Sequence, residues 1–190
     1  MRAQITQDIK EELLSSAFRY LVKNGLENTS IRDLCKAMGI STGSLYYWFD
    51  GKDDIYINAA QFGLAQTAQK LFDFAFANLH DLKSLFDNFI PVIDDCKKEM
   101  RFIYQMATSP VYGDRMRQKA DDLEGDYTRY IEQLSGVLAG SPEEWAPIVF
   151  MAISAVLDYV VWEDKAVTEM QFAYLYKLME SQSKRLQEKQ

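Results

Sequence analysis

The sequence is poor in residues that interrupt helices and in residues that build most catalytic sites. Its 190 residues include four prolines, nine glycines, two cysteines and one histidine. Proline and glycine are the strongest interrupters of helical structure, so long stretches of this chain are free to be helical. Because His80 is the single histidine, Ser-His-Asp and histidine-metal sites are nearly excluded.

The two cysteines and the first residues indicate a protein of a reducing compartment. Cys35 and Cys96 show no CxxC or other metal-binding spacing, so we expect no metal site and no cofactor. Cys35 falls on the apolar side of a helical pattern and is expected in the core. The N-terminus, MRAQITQDIKEELL, carries acids where a signal peptide needs an apolar segment, which predicts a cytoplasmic location.

One apolar run approaches the length of a membrane span. It extends over Pro147–Trp162, which is sixteen residues with Asp158 inside. A span requires about 20 apolar residues without a central charge. We therefore predict a helix buried on several sides, as in a subunit interface, and no contact with a membrane.

Apolar residues recur at three- and four-residue steps along most of the chain, and no long stretch alternates as a strand would. The first such segment ends at Asn24-Gly25, since glycine accepts the left-handed conformation at a helix C-terminus. This periodicity predicts an all-α fold of about nine helices. Beyond the first three, helices are expected from about residue 53 and near 81–98, 100–108, 114–138, 142–163 and 167–187.

Residues 29–49 have the pattern of a helix, a glycine turn and a second helix. Thr29-Ser30 followed by Asp33 resembles a capping box, Gly39 ends the first helix, and Ser41 can cap the next. The second helix lies in GISTGSLYYWF, where Leu45 and Phe49 fall one turn apart and point inward. Its opposite face is small at the start and phenolic further along. Together these features predict a helix-turn-helix.

The charge of the chain limits how it could contact nucleic acid. The net charge is -7 and the sequence pI is about 4.8, so the protein as a whole repels DNA. Residues 1–54 hold seven Lys and Arg against eight Asp and Glu, which leaves this part nearly neutral. A contact with DNA must therefore be local and depend on shape.

The stretch ENTSIRDLCKAMGISTGSLYYWFDGKDDIY resembles the DNA-binding domain of tetracycline-repressor-like (TetR) family regulators, with similarity from about Ile9 to Tyr56. The resemblance implies a DNA-binding domain at 1–52 and a helical effector-binding and dimerisation domain at 53–190. It also implies a homodimeric repressor on a palindromic double-stranded operator, released by a small effector. The positions implied to contact DNA are Thr29, Ser30, Ser41, Thr42, Gly43, Ser44, Tyr46, Tyr47, Trp48 and Lys52.

Three positions depart from the pattern of the family. Thr42 stands where a long polar or basic residue is frequent, Trp48 where histidine is frequent, and Gly51 where serine is commoner. The recognition helix contains no Arg or Lys, so it cannot make the bidentate arginine–guanine contact. We therefore expect base discrimination to rest on Thr42, Ser44, contacts with methyl groups and the shape of the DNA.

The larger domain is rich in Phe, Tyr and Met, which suit a broad apolar pocket but equally suit plain core. A hydrophobic or aromatic effector would fit such a lining. The Asp158 carboxylate has three possible partners: it could bind a polar group of the effector, pair with an arginine across an interface, or face solvent. The predicted ligand-binding residues are Phe62, Phe89, Tyr104, Met106, Tyr127, Phe150, Asp158 and Trp162. The predicted dimer-interface residues, on the last helix, are Phe172, Leu175, Tyr176 and Met179.

Two other classes of function stay open at this point. A helix-turn-helix without basic residues on its recognition helix, in an acidic chain, is also suited to docking a protein instead of DNA. The second class is a helical enzyme whose active site contains carboxylates only. The sequence shows no glycine-rich phosphate loop and no Glu-x-x-His pair, so other kinds of active site are not indicated. We predict that the protein is not an enzyme.

Overall fold

The computed structural model describes residues 2–118 and 121–188, and side chains for 6–118, 128–186 and 188. These residues are helical nearly throughout, with no strand among them, which confirms the all-α prediction. They form eleven helices: α1 Arg2–Asn24, α2 Ile31–Met38, α3 Thr42–Trp48, α4 Lys52–Ala77, α5 Leu82–Asp87, α6 Phe89–Asp94, α7 Lys97–Thr108, α8 Gly113–Gln118, α9 Asp121–Leu138, α10 Pro142–Trp162 and α11 Lys165–Gln187.

The number of helices exceeds the predicted nine in two places. The segment expected at 81–98 contains α5 and α6, which meet at Asn88, where the backbone leaves the helical region (φ -109°, ψ 4°). The segment expected at 114–138 contains the described helices α8 and α9, which lie on either side of residues 119–120. The break at Asn88 is one residue long and preserves the apolar spacing on both sides, so periodicity alone did not reveal it.

The chain forms two compact units. Unit 1 contains residues up to 67 together with 98–118, and unit 2 contains residues 68–97 together with those from 121 onward. Helix α4 begins in unit 1 and ends in unit 2. The predicted functional boundary between residues 52 and 53 stays a prediction.

One hydrophobic cluster fills unit 1, with residues from α1, α2, α3, α4, α7 and α8. Phe18 of α1 and Phe102 of α7 meet edge to face with ring centroids 5.8 Å apart. Gly63 of α4 lies against the Phe18 ring, which would overlap a Cβ at this position. The absence of a side chain at Gly63 therefore lets α4 approach α1 closely.

The core of unit 2 combines aliphatic residues with several buried aromatic side chains. Phe172 of α11 lies 5.6 Å from Phe86 and 5.7 Å from Phe89, measured between ring centroids. Trp145 of α10 is fully buried, and its indole N–H donates to the Ala139 carbonyl at 2.7 Å. In this unit α10 packs on α9 and α11, and α11 packs on α5.

Polar contacts join the end of α10 to the start of α7. Asp94 accepts hydrogen bonds from Lys97 Nζ and from the Tyr159 hydroxyl, each at 2.9 Å, and Lys97 also pairs with Glu163 at 3.3 Å. The hydrogen bond from Lys97 lowers the pKa of Asp94, and the same bond raises the pKa of Lys97. Burial, followed by the bond to Asp94, raises the pKa of Tyr159.

Helix α10 is longer than the sixteen-residue apolar run within it, and by length and composition it is able to cross a membrane. It buries one face within unit 2, including Trp145, Val156 and Val160, and exposes the opposite face. Core helices of soluble proteins have the same length and composition, so this property alone does not assign a location.

Candidate nucleic-acid interface

The start of α2 is closed by a complete capping box. The Ser30 hydroxyl accepts the Asp33 N–H at 3.2 Å, and the Asp33 carboxylate accepts both the Ser30 hydroxyl (2.6 Å) and the Ser30 N–H (2.9 Å). These two bonds from Ser30 lower the pKa of Asp33. The capping prediction is confirmed, and the side chain of Ser30 lies exposed at the position where the resemblance implies a phosphate contact.

Thr29 requires a correction. Its side chain is 2% exposed, and its hydroxyl donates to the Gly25 carbonyl at 2.6 Å. A phosphate could not reach this hydroxyl, so the predicted contact through the Thr29 side chain is not available. The reason is that Tyr56 of α4 closes the loop: its hydroxyl lies 2.9 Å from the Leu26 carbonyl and 3.3 Å from the Thr29 carbonyl.

The turn between α2 and α3 follows its sequence signals. Gly39 has the left-handed conformation (φ 68°), and the Ile40 N–H donates to the Cys35 carbonyl at 3.0 Å. Ser41 caps α3, since its hydroxyl accepts the Ser44 N–H at 3.1 Å. Leu45 and Phe49 are buried in the core of unit 1, as predicted. The local residues therefore set both the bend and the rotation of α3.

The opposite face of α3 is exposed. It consists of small residues followed by two tyrosines, of which Tyr46 is 58% and Tyr47 is 79% exposed. Trp48 does not belong to this face: it is half-buried against the core of unit 1, and its ring meets the Tyr47 ring edge-on at 5.2 Å. The exposed residues of α3 and its cap are Ser41, Thr42, Gly43, Ser44, Tyr46 and Tyr47.

The hydroxyl groups at the start of α3 have partners within the chain. The Ser41 and Ser44 oxygens lie 2.9 Å apart, and the Cys35 thiol lies 3.9 Å from the Thr42 oxygen, within reach of a weak hydrogen bond. A hydroxyl has one donor and two acceptor sites. The Ser41–Ser44 pair therefore keeps one O–H for an outside acceptor, and Thr42, which accepts from the thiol, keeps its own.

Positive charge lies beside α3 and not on it. Arg32 and Lys36 are exposed on α2, and Lys52 stands at the first position of α4 with its ammonium 5.3 Å from the centroid of the Tyr56 ring. The positive charge of these side chains suits a contact with phosphate. The exposed face of α3 itself offers hydroxyls, backbone and phenol rings.

The sequence did not reveal that residues 98–118 belong to the same unit as the helix-turn-helix. Tyr112 illustrates the link: its hydroxyl lies 3.2 Å from Asp53 Oδ1, and its ring meets that of Tyr56 at 6.0 Å. Burial, followed by the charge of Asp53, raises the pKa of Tyr112. No local signal could have found this pairing, since the partners are 59 positions apart.

The predicted ligand-binding residues do not form one cluster within either unit. In unit 1, Met106 is buried in the core, Phe62 is half-buried and Tyr104 is exposed. In unit 2, Phe89 is buried and stacks on Phe74. The remaining members are the exposed Phe150, Trp162 and Asp158, which accepts from Gln171 at 3.3 Å, and Tyr127, whose side chain lies outside the described residues.

The predicted dimer-interface residues also require a correction. Phe172, Leu175 and Met179 are buried inside unit 2, and Tyr176 is half-buried. Helix α11 has two apolar sides, and the core of its own chain covers the one that the sequence pattern selected. The uncovered side carries Met170, which is 66% exposed, with Val167 and Tyr174. Helix α10 adds Phe150, Met151, Leu157 and Trp162, the last 76% exposed.

The fold and the site define a class of protein. It is an all-helical chain in which a helix-turn-helix with an exposed second helix precedes a second helical unit. Among the described residues, no three His, Cys, Asp or Glu side chains lie together as a metal site would require.

Comparison with known proteins agrees with this class. Residues 13–59 match the family model of bacterial regulatory proteins, tetR family. Over 53 residues the chain is 30% identical to the HTH-type transcriptional regulator AcrR of Shigella flexneri, a match that covers 28% of this chain and 25% of AcrR. Thus the chain aligns with about a quarter of the length of that relative.

Two solved structures share the fold over nearly the whole chain. A tetR family transcription regulator from Shewanella sp. PV-4 is 18% identical, with a TM-score of 0.52 over 90% of this chain and 97% of that chain. A TetR-family transcriptional regulator from Syntrophomonas wolfei is 20% identical, with a TM-score of 0.55 over 94% and 96%. The chain is thus similar to the tetR family over residues 13–59, and it shares its fold with two solved structures of that description.

Proposed function

We propose that this protein is a cytoplasmic transcriptional repressor, not an enzyme, that binds a palindromic DNA operator as a homodimer and leaves it when a small effector binds. The observation that carries the DNA-binding part is the exposed face of α3. It is held by Leu45 and Phe49 in the core, and its outer side presents hydroxyls, a glycine and two phenols. A helix of this shape is able to enter the major groove.

The distribution of positive charge supports separate contacts for the flanking helices and for α3. Arg32, Lys36 and Lys52 flank α3 and are suited to phosphates, whereas α3 itself faces the bases. The Tyr46 and Tyr47 hydroxyls are able to donate to phosphates without adding charge. Because few cations take part, we expect a shallow dependence of affinity on salt, with a slope of roughly -3 per half-site on logarithmic axes.

The exposed apolar sides of α10 and α11 support the homodimer. Their exposed large apolar side chains include Phe150, Met151, Leu157, Trp162, Met170 and Tyr174. Several exposed large apolar side chains on two helices that pack together are typical of an interface. Pairing two copies through it would provide the two recognition helices that a palindromic operator requires.

The proposal that a small effector binds this protein is supported by one polar atom of α4. The Gln61 amide nitrogen is buried and has no hydrogen-bond partner in the described part of the chain. An unpaired buried donor costs free energy, so an acceptor on a ligand would stabilise the protein here. Phe62 follows it and is half-buried, which suits an apolar or aromatic ligand. Because α4 extends from unit 1 into unit 2, a ligand that shifts this helix would change the position of α3.

Fluorescence anisotropy with the DNA upstream of the protein's own gene tests this function. We expect saturable binding of the wild type at low salt, and at least a tenfold loss when Tyr46 and Tyr47 are both changed to Ala. Val111→Ala, which shortens an exposed apolar side chain after α7, is the control and should bind as the wild type does. If no duplex binds even in dilute buffer, the proposal is wrong, and the alternative of a docked protein partner is favoured.

A further inference from the structure

A half-open cavity of about 400 Å³ lies within unit 1, between the second half of α1 and the first turn of α7. Sites that bind small molecules have volumes of roughly 300–1,000 Å³, so this cavity is large enough for such a ligand. It shares no residue with the exposed face of α3 or with the apolar sides of α10 and α11. Its lining residues are Phe18, Arg19, Val22, Lys23, Lys98 and Glu99.

The deeper part of the lining is apolar. Phe18 is buried, and Val22, one turn later on the same side of α1, is half-buried. The Phe18 ring lies against Gly63 of α4 and meets the Phe102 ring of α7, so core contacts hold it in place. An apolar group that entered the cavity would therefore be removed from water against a surface that is already formed.

The outer part of the lining is positively charged. Arg19, Lys23 and Lys98 are exposed, and none of them forms an ion pair with any residue that the structure describes. Glu99 contributes a negative charge, so three positive charges against one negative leave the lining at +2, in a chain whose net charge is -7. Like charges around one small volume repel one another, and a bound anion would offset that repulsion.

We propose that this cavity binds a small carboxylate with an apolar tail. The carboxylate pairs with the cations at the opening, and the tail lies on Phe18 and Val22. A single negative charge is favoured over a phosphate dianion, because the Glu99 carboxylate borders the same space and repels added negative charge. Since the cations belong to both α1 and α7, the ligand joins these two helices within unit 1.

The first experiment separates the contribution of charge from that of the apolar tail. Isothermal titration calorimetry compares sodium octanoate with octanol, which lacks the charge, and with sodium acetate, which lacks the tail. We expect octanoate to bind about tenfold more tightly than either, because a hydrogen bond to a charged group and the burial of several methylene groups each correspond to about that factor or more. Inorganic phosphate should also bind more weakly than octanoate.

The second experiment tests whether octanoate binds in this cavity. Replacing Lys23 and Lys98 together by Gln removes two charges from the opening and should weaken octanoate binding about tenfold. Lys98→Gln alone should show part of this loss, and neither change should alter the affinity for octanol. Lys177→Gln is the matched control and should bind octanoate as the wild type does. Lys177 is likewise an exposed lysine without an ion pair among the described residues, and it lies on α11 in unit 2.

The outcomes distinguish this cavity from other apolar surfaces of the protein. The proposal is overturned if octanoate does not bind, or if octanol or phosphate binds as tightly. It is also overturned if the double variant binds octanoate as well as the wild type does, since the ligand then lies elsewhere. The operator titration by anisotropy is a separate measurement, so the proposed function stands or fails independently of this site.

Discussion

At the scale of residues, three glycines inside helices show how the same residue serves different purposes. Gly63 is required by packing, because the Phe18 ring occupies the space of its side chain. Gly136 and Gly43 have open space instead, on α9 and α3. The fold explains Gly63, the proposed DNA contact explains Gly43, and nothing in the structure explains Gly136.

Gly63→Ala should destabilise the protein by about 1–3 kcal/mol, the usual cost of overfilling a packed core. Phe18 is buried and held against Phe102, so its ring has little room to move. Urea unfolding followed by circular dichroism measures the change. Gly136→Ala is the control and should be stabilising by up to about 1 kcal/mol, because alanine favours the helix. Equal stability of the two variants would contradict this account of Gly63.

At the scale of elements, α2 depends on its capping box for a defined start. The box joins Ser30 and Asp33, and it lies next to the loop that Tyr56 ties down. Both ends of α2 are fixed in this way, since Gly39 closes the other end. The rotation of α3 relies on these short-range contacts.

Asp33→Asn should remove a pH-dependent part of the stability. The folded pKa of Asp33 lies below its unfolded value, so the carboxylate stabilises the fold fully above the unfolded pKa of about 3.9. That contribution is lost as the pH falls through the folded pKa. Thermal unfolding at neutral pH should therefore show a lower Tm for the variant, with the gap closing in acid. A gap that stays constant down to about pH 2 would count against the linkage.

The sequence predicted those features of each helix that depend on neighbouring residues, and it missed those that depend on distant ones. The bounds of α2 and α3 and the inward side of Leu45 depend on caps and spacing within a few residues, and these predictions are confirmed. The burial of Thr29 depends on Tyr56, and that of Phe172 on Phe86, partners distant in the chain. Local periodicity identifies an apolar side but not which of two apolar sides the chain covers itself.

At the scale of the whole molecule, the exposed sides of α10 and α11 have the composition of an interface that a single chain leaves uncovered. Trp162 is 76% exposed and Met170 is 66% exposed. These residues belong to unit 2, whereas α3 belongs to unit 1, so the two surfaces share no residue. Association would thus not compete with the proposed DNA contact.

Met170→Asp should convert the proposed homodimer to a monomer, because an unpaired charge within an apolar interface is costly to desolvate. Size-exclusion chromatography with light scattering at micromolar concentration measures this mass. Val137→Asp, at an exposed position of α9, is the control and should leave the mass unchanged. We expect the Met170 variant to bind a full operator at least tenfold more weakly. A monomeric wild type, or a dimeric Met170→Asp, would refute this interface.

The packing of Phe102 against Phe18 has a practical consequence for protein engineering. A graft of the helix-turn-helix onto another protein, designed from the sequence similarity alone, would end within α4, where the match to the family model stops at residue 59. That graft would leave behind α7 and α8, which complete its interior, and expose the apolar side of α1 to water. A chimaera that also contains residues 98–118 would keep the helices that complete the hydrophobic cluster of unit 1.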